Sequence, residues 1–175
     1  MGIETKVADA AQDLRDCLET ALGDRPLYPV GEVCLLPGVD FRQFLSIGAT
    51  ENKCCEGSGY AAVQVVNIQP AIPSDPKHLE RCGPYTYQVD MAMGVARCAP
   101  VGDINAGPTC AQWQAVAQAV WSDAGAMIAA VCCFRPTVES GVVVPTNWIP
   151  FDPEGGCTGG IMGVQIQIDS CDCGS

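Results

Sequence analysis

The stretch from Tyr85 to Arg97 constrains this chain more than any other. Tyr85, Tyr87, Val89, Met91, Met93 and Val95 alternate with Thr86, Gln88, Asp90, Ala92, Gly94 and Ala96. Sustained period two marks a half-buried antiparallel strand. At about 3.3 Å per residue the run reaches roughly 43 Å, long for a globular strand. Such length implies either an arm that leaves its own domain or a bulge near Gly94.

The remaining elements read outward from that strand. Residues 3–22 place Ile3, Val7, Ala10, Leu14, Cys17 and Ala21 at helical spacing, with Gly23 as the expected C-cap. Residues 24–58 are loop-rich, with a short strand expected at Val33–Leu36. Tyr60–Gln69 is a β-branched strand closed by Pro70 and Pro73. Thr109 and Gln112 fit a capping box ahead of a second helix to Cys133, and Arg135-Pro136 ends it. Trp113, Val116, Val120, Met127 and Val131 mark its apolar face. Val142–Ile149 and Ile161–Ile168 are the last strands, joined by a glycine-rich turn over residues 155–160. In the second, Met162, Val164, Ile166 and Ile168 face one way, and Gln165 and Gln167 the other.

The expected fold is one α+β domain over residues 1–175. Its antiparallel or mixed sheet of about four strands is covered by two helices, in the order α-β-β-α-β-β. The helix 3–22 precedes a core at 58–169, and residues 170–175 form a loose tail. The strand 85–97 is expected to bury Tyr87, Val89, Met91 and Val95 against the apolar stripe of the second helix.

Composition narrows the function classes. Hydrophobic residues are 48% but aromatics only 6%, so the core rests on Val, Ile, Leu, Ala and Met. Charged residues are 17%, against about 25% in ordinary soluble domains, which fits either surface hidden in an assembly or a simple secreted domain. The net charge is −11 and no basic run exists, which excludes tight nucleic-acid binding through counterion release. An acidic surface instead lets DNA pass without sticking. No run of eighteen apolar residues exists, so no membrane partner is expected. The charged start, Met1–Arg15, lacks the apolar stretch of a leader.

No catalytic constellation is visible. His78 is the single histidine, in a proline-flanked loop, and reads as solvated. No nucleophile elbow, phosphate loop or zinc-protease motif is present. Asp9, Asp13, Asp16 and Glu19 lie along one helix side and read as a solvated face. No catalytic residue, metal or cofactor is expected.

Twelve cysteines leave three readings open: disulfides, a zinc site, or buried free thiols. Zinc is disfavoured because adjacent pairs and one Cys-x-Cys stand where Cys-x-x-Cys knuckles are usual. Element lengths and alternating direction divide the cysteines. Cys54, Cys55, Cys98, Cys110 and Cys157 fall at one end of the sheet. Cys82, Cys132, Cys133, Cys171 and Cys173 fall at the other, with Cys17 and Cys34 unassigned. The ends of the second helix stand roughly 33 Å apart, so bonds within a subunit join members of one group, such as Cys98 with Cys110.

One order of features runs through Gly94-Val95-Ala96-Arg97-Cys98-Ala99-Pro100, the capped helix ending in Cys132-Cys133, Trp148-Ile149-Pro150, and Pro153-Glu154-Gly155-Gly156-Cys157-Thr158-Gly159-Gly160. It resembles head-to-tail connector proteins of long-tailed phages infecting actinobacteria, specifically their tail-terminator-like members, over roughly residues 54–169. The resemblance implies a homo-oligomeric, hexameric ring at the neck of the virion, assembled in the host cytoplasm. Such a ring caps the tail-tube protein, stops its polymerisation and joins the head-completion or stopper connector. Genomic DNA passes its lumen without sequence-specific binding. Another neck ring (stopper or adaptor) is the nearest alternative; a tail-tube subunit or a cysteine-based zinc or thiol protein stands further off.

Overall fold

The computed structural model describes residues 2–25, 29–38, 41, 55, 59–71, 85–102, 106–138, 142–154 and 156–170. Helix α1 (Ile3–Gly23) precedes three strands, β1 (Val33–Leu36), β2 (Tyr60–Pro70) and β3 (Tyr85–Cys98). Helix α2 (Cys110–Phe134) and a 3-10 turn (Arg135–Thr137) lead to β4 (Val143–Glu154) and β5 (Cys157–Ser170). The fold is α+β: a mixed five-stranded sheet in the order β1-β2-β3-β5-β4 carries both helices on one face.

Strand β3 is the centre of this sheet and pairs antiparallel with β2 on one side and β5 on the other. Its pairing with β5 runs unbroken from Tyr85↔Ser170 to Cys98↔Cys157, so the strand is not an arm. The bulge lies in β2, where the register skips between Val65 and Asn67. Gly94 serves a different end. A Cβ there would come within 2.5 Å of the Phe41 ring.

The short strand β1 runs parallel to β2 and makes the sheet mixed, with five strands rather than about four. Strands β4 and β5 outrun their expected ends. Glu154 pairs with Cys157, so the connection shrinks to a tight turn with Gly156 at φ 78°, a left-handed conformation that suits glycine. Thr158, Gly159 and Gly160 are therefore strand residues. Pro150 and Pro153 hid the extension of β4, because a proline is tolerated on an edge strand whose outward N–H is not needed.

The core lies between the sheet and the helices. From β3 it takes Val89, Met91, Met93 and Val95, from β5 Met162, Val164, Ile166 and Ile168. Tyr87 is half-buried rather than core. Helix α1 contributes Val7, Ala11, Leu14, Cys17, Leu18 and Leu22, a stripe displaced by one position from the expected Ala10 and Ala21. Its C-cap is Asp24, whose N–H returns to Thr20 and Leu22, and Gly23 remains helical. At the start of α2 the capping box forms as expected: the Thr109 N–H donates to Gln112 Oε1 at 2.7 Å, and the Thr109 hydroxyl accepts from the Gln112 N–H at 3.3 Å.

Candidate functional site

The described residues are distinguished by their thiols, one buried ion pair and their exposed apolar surfaces. Among the described residues no group of three His, Cys, Asp or Glu side chains stands close enough to hold a metal ion. His78 lies outside the described residues, as do Cys54, Cys82, Cys171 and Cys173. Asp9, Asp16 and Glu19 are exposed and Asp13 half-exposed. Arg15 engages Asp16 at 3.0 Å and Glu19 at 2.9 Å, as on an ordinary solvated helix face. Asp9 and Asp13 also line a cleft of about 270 Å³ between α1, the 3-10 turn and the end of β5. There Lys6 Nζ donates to the Asp169 carbonyl at 2.8 Å.

Two disulfides are present among the described residues. Cys17–Cys133 ties α1 to the end of α2 with Cα atoms 5.7 Å apart. Cys55–Cys98 ties the approach to β2 to the end of β3 with Cα atoms 4.6 Å apart. Cys98 is therefore bonded to Cys55 and not to Cys110, although all three come from the same expected end. Neighbouring β2 and β3 bring Cys55 directly beside Cys98, whereas Cys110 starts an α2 turn that stands away from the sheet. Cys157 is also disulfide-bonded. Cys34, Cys110 and Cys132 are free, with Cys110 and Cys132 exposed.

One polar feature lies in the core and composition gave no hint of it. Arg97 is 7% exposed and Asp123 1% exposed. Arg97 Nε and Nη2 donate to the two carboxylate oxygens of Asp123 at 2.9 and 2.6 Å, and Nη1 donates to the Pro29 carbonyl at 2.5 Å. This bidentate fork joins the top of β3 to the middle of α2. Burial pushes the Asp123 carboxyl above its ordinary value, and Arg97 pulls the other way. Nearby, burial and a hydrogen bond with Cys34 push the Tyr60 phenol above its ordinary value. The fork is structural: it leaves neither group open to a substrate.

The outer surfaces are unusual. Helix α2 is long and apolar enough to cross a membrane by length and composition alone. Its inner face nevertheless packs on the sheet, holds the Arg97–Asp123 pair and is bonded to α1, as a core helix would be. The expected apolar face was partly misplaced. Val120, Met127 and Val131 are buried with Ala119, Ala126, Ala130 and Phe134, but Trp113 is 40% exposed. Residues 110–115 are all exposed, so the first turns of α2 stand clear of the body.

The sheet edges differ as sharply. Strand β1 covers β2 only from Ala61 to Gln64. Beyond it Val66 through Pro70 are exposed, with Val66 at 59% and Ile68 at 45%. The other edge, β4, carries its three prolines. On the sheet face away from the helices, Phe41, Phe151, Leu36, Ala62, Ala96 and Cys157 form a small second cluster at one end. Elsewhere on that face Asp90 accepts from Gln88 at 3.1 Å and Thr86 donates to Asp169 at 2.6 Å, beside the exposed Val144 and Ile149 of β4. No family model matches the chain, and no curated protein matches it.

Proposed function

We propose that this chain is a structural subunit of a closed homo-oligomeric ring, placed by its sequence resemblance at the head–tail junction of a long-tailed phage. There it caps the tail tube, ends its polymerisation and joins the head connector. The observation that supports assembly is the outer edge of β2. Among the described residues, Val65–Gln69 have no neighbouring strand on that side, and Val66 and Ile68 are apolar and exposed. An edge of this kind is a template for another chain. The opposite edge, broken by Pro145, Pro150 and Pro153, resists strand addition. Two unlike edges favour head-to-tail contacts between different patches, the kind that closes rings. The sheet face carrying Asp90 and Asp169 has no basic side chain among the described residues, which suits a wall past which DNA slides.

Native mass spectrometry and electron microscopy of the purified protein with its tail tube test this. A ring at the tube end is expected, and Val66→Lys with Ile68→Lys prevents ring closure while leaving the monomer folded. A protein that stays monomeric on the tube, or rings unaffected by the double substitution, would sink the reading.

A further inference from the structure

We propose that Cys98 exchanges its disulfide partner between Cys55 and Cys157, a thiol switch at the top of β3 that ties down or releases the chain entering β2. Cys98 and Cys157 close the pairing of β3 with β5 and stand directly opposite one another. One step beyond them the Ala99 N–H donates to the Gly156 carbonyl at 2.7 Å. Hydrogen-bonded and non-hydrogen-bonded pairs alternate along an antiparallel ladder, so Cys98 and Cys157 form a non-hydrogen-bonded pair. Such pairs bring side chains closest, with Cα atoms about 4.5 Å apart, inside the range that a disulfide spans. Opposite residues share a face of the pleat, and Cys157 lies 2% exposed in the cluster with Phe41, Ala62, Ala96 and Phe151.

The bonds present do not use this pair. Cys98 is bonded to Cys55, whose Sγ lies 3.7 Å from the Gly156 carbonyl and thus beside Cys157. Cys157 is held in a separate disulfide. The free thiol of Cys34 packs against the same cluster but is out of reach of Cys98. Cys34 pairs with Ala62 and Ala62 with Gly94, which is two strands across the sheet and four residues short of Cys98. At about 3.3 Å per residue and 4.8 Å per strand, the separation is roughly 16 Å.

The exchange takes two steps. A dithiol opens the Cys157 disulfide, giving two electrons and two protons to its sulfurs and closing into its own cyclic disulfide. The Cys157 thiolate then attacks Cys98 Sγ. The Cys98–Cys157 bond forms, the Cys55–Cys98 bond breaks, and the electron pair leaves on Cys55 Sγ, which takes a proton from water. The ladder already holds the two reacting residues together, so this step orders no further chain. A thiol so held acts at an effective concentration on the order of mM or more, about tenfold above a dithiol supplied at about 0.1 mM. The product staples β3 to β5 and frees Cys55, so the chain entering β2 keeps its place at the outward cluster by packing alone. The inference rests on strand register and is independent of the neck reading.

Stepwise reduction of the full chain with dithiothreitol, acid quenching, alkylation and non-reducing peptide mapping test it. Cys55 is expected to be alkylated about tenfold ahead of Cys98 while a Cys98–Cys157 peptide accumulates. Cys157→Ser removes the attacking thiol, and Cys55 and Cys98 should then be alkylated together. Cys55→Ser leaves a Cys98 thiol and serves if the first variant misfolds: Cys98 should be recovered bonded to Cys157 with no reductant added. Joint alkylation of Cys55 and Cys98 in the unaltered chain, a free Cys98 thiol in Cys55→Ser, or Cys34 as the main new partner of Cys98 would overturn the proposal.

Discussion

On the helix side of β3, Val89, Met91, Met93 and Val95 are at most 1% exposed. One residue out of step, Gln88 and Asp90 satisfy one another and Asn67 on a face open to water. Both sets come from the same strand, and only pleat parity separates them. The outward face is not uniform, however. Near its upper end Ala92 and Ala96 are also buried, and Phe41 stacks on Tyr60 and meets Phe151 edge-on, each at 6.2 Å between ring centroids. One face is thus closed from Val89 to Val95 by two helices, the other only where aromatic side chains reach across small residues. A substitution should be costly according to which cover it disturbs.

The sharpest way to break this comparison is a pair of neighbours. Val89→Asp sets an unpaired carboxylate in the core at a cost of several kcal/mol, and soluble folding should be lost. Asp90→Asn, one residue on, should change stability by no more than about 0.5 kcal/mol in urea titration. Equal effects would mean that the faces are assigned wrongly.

The buried fork ranks next. Arg97→Leu strands the Asp123 carboxylate and should cost about 3–5 kcal/mol. Arg97→Leu combined with Asp123→Leu should recover most of that loss, because no charge is then left buried. If the double variant is as unstable as the single one, the two residues do not act as a pair.

Crosslinks on the two sides also differ. Replacing Cys17 and Cys133 by Ser opens a link across 116 residues and should cost about 2–4 kcal/mol in chemical denaturation. Replacing Cys55 and Cys98 opens one across 43 residues and should cost roughly 1 kcal/mol less, because closure entropy grows only with the logarithm of loop length. A larger loss from the second pair would show that it holds the outward cluster together by more than closure.

Gly94→Ala drives a methyl group toward the Phe41 ring and should cost about 1–3 kcal/mol by overpacking. Combining it with Phe41→Leu should relieve part of that cost. The smallest effect is expected at Gln165, on the polar part of the same face, where Lys should be tolerated within about 0.5 kcal/mol.

Local patterns in the sequence determined most of the elements. Alternation in β3 and β5, the capping box at Thr109 and the stop at Arg135-Pro136 depend on contacts a few residues apart, so they were legible directly. Nothing local in the sequence says that strand and helix will bring Arg97 and Asp123 together. The spacing within α2 shows which residues share a face, but not which face meets the sheet. That choice placed Trp113 and Trp121 outside and Ala126 and Ala130 inside, against hydrophobicity alone. Small residues let the helix approach the sheet closely, and the inward Asp123 needed Arg97. Strand pairing in turn set Cys55 beside Cys98 and carried β4 through its prolines. Pairing partners far apart in the chain are selected by the closed sheet as a whole, so only the tertiary structure could decide them.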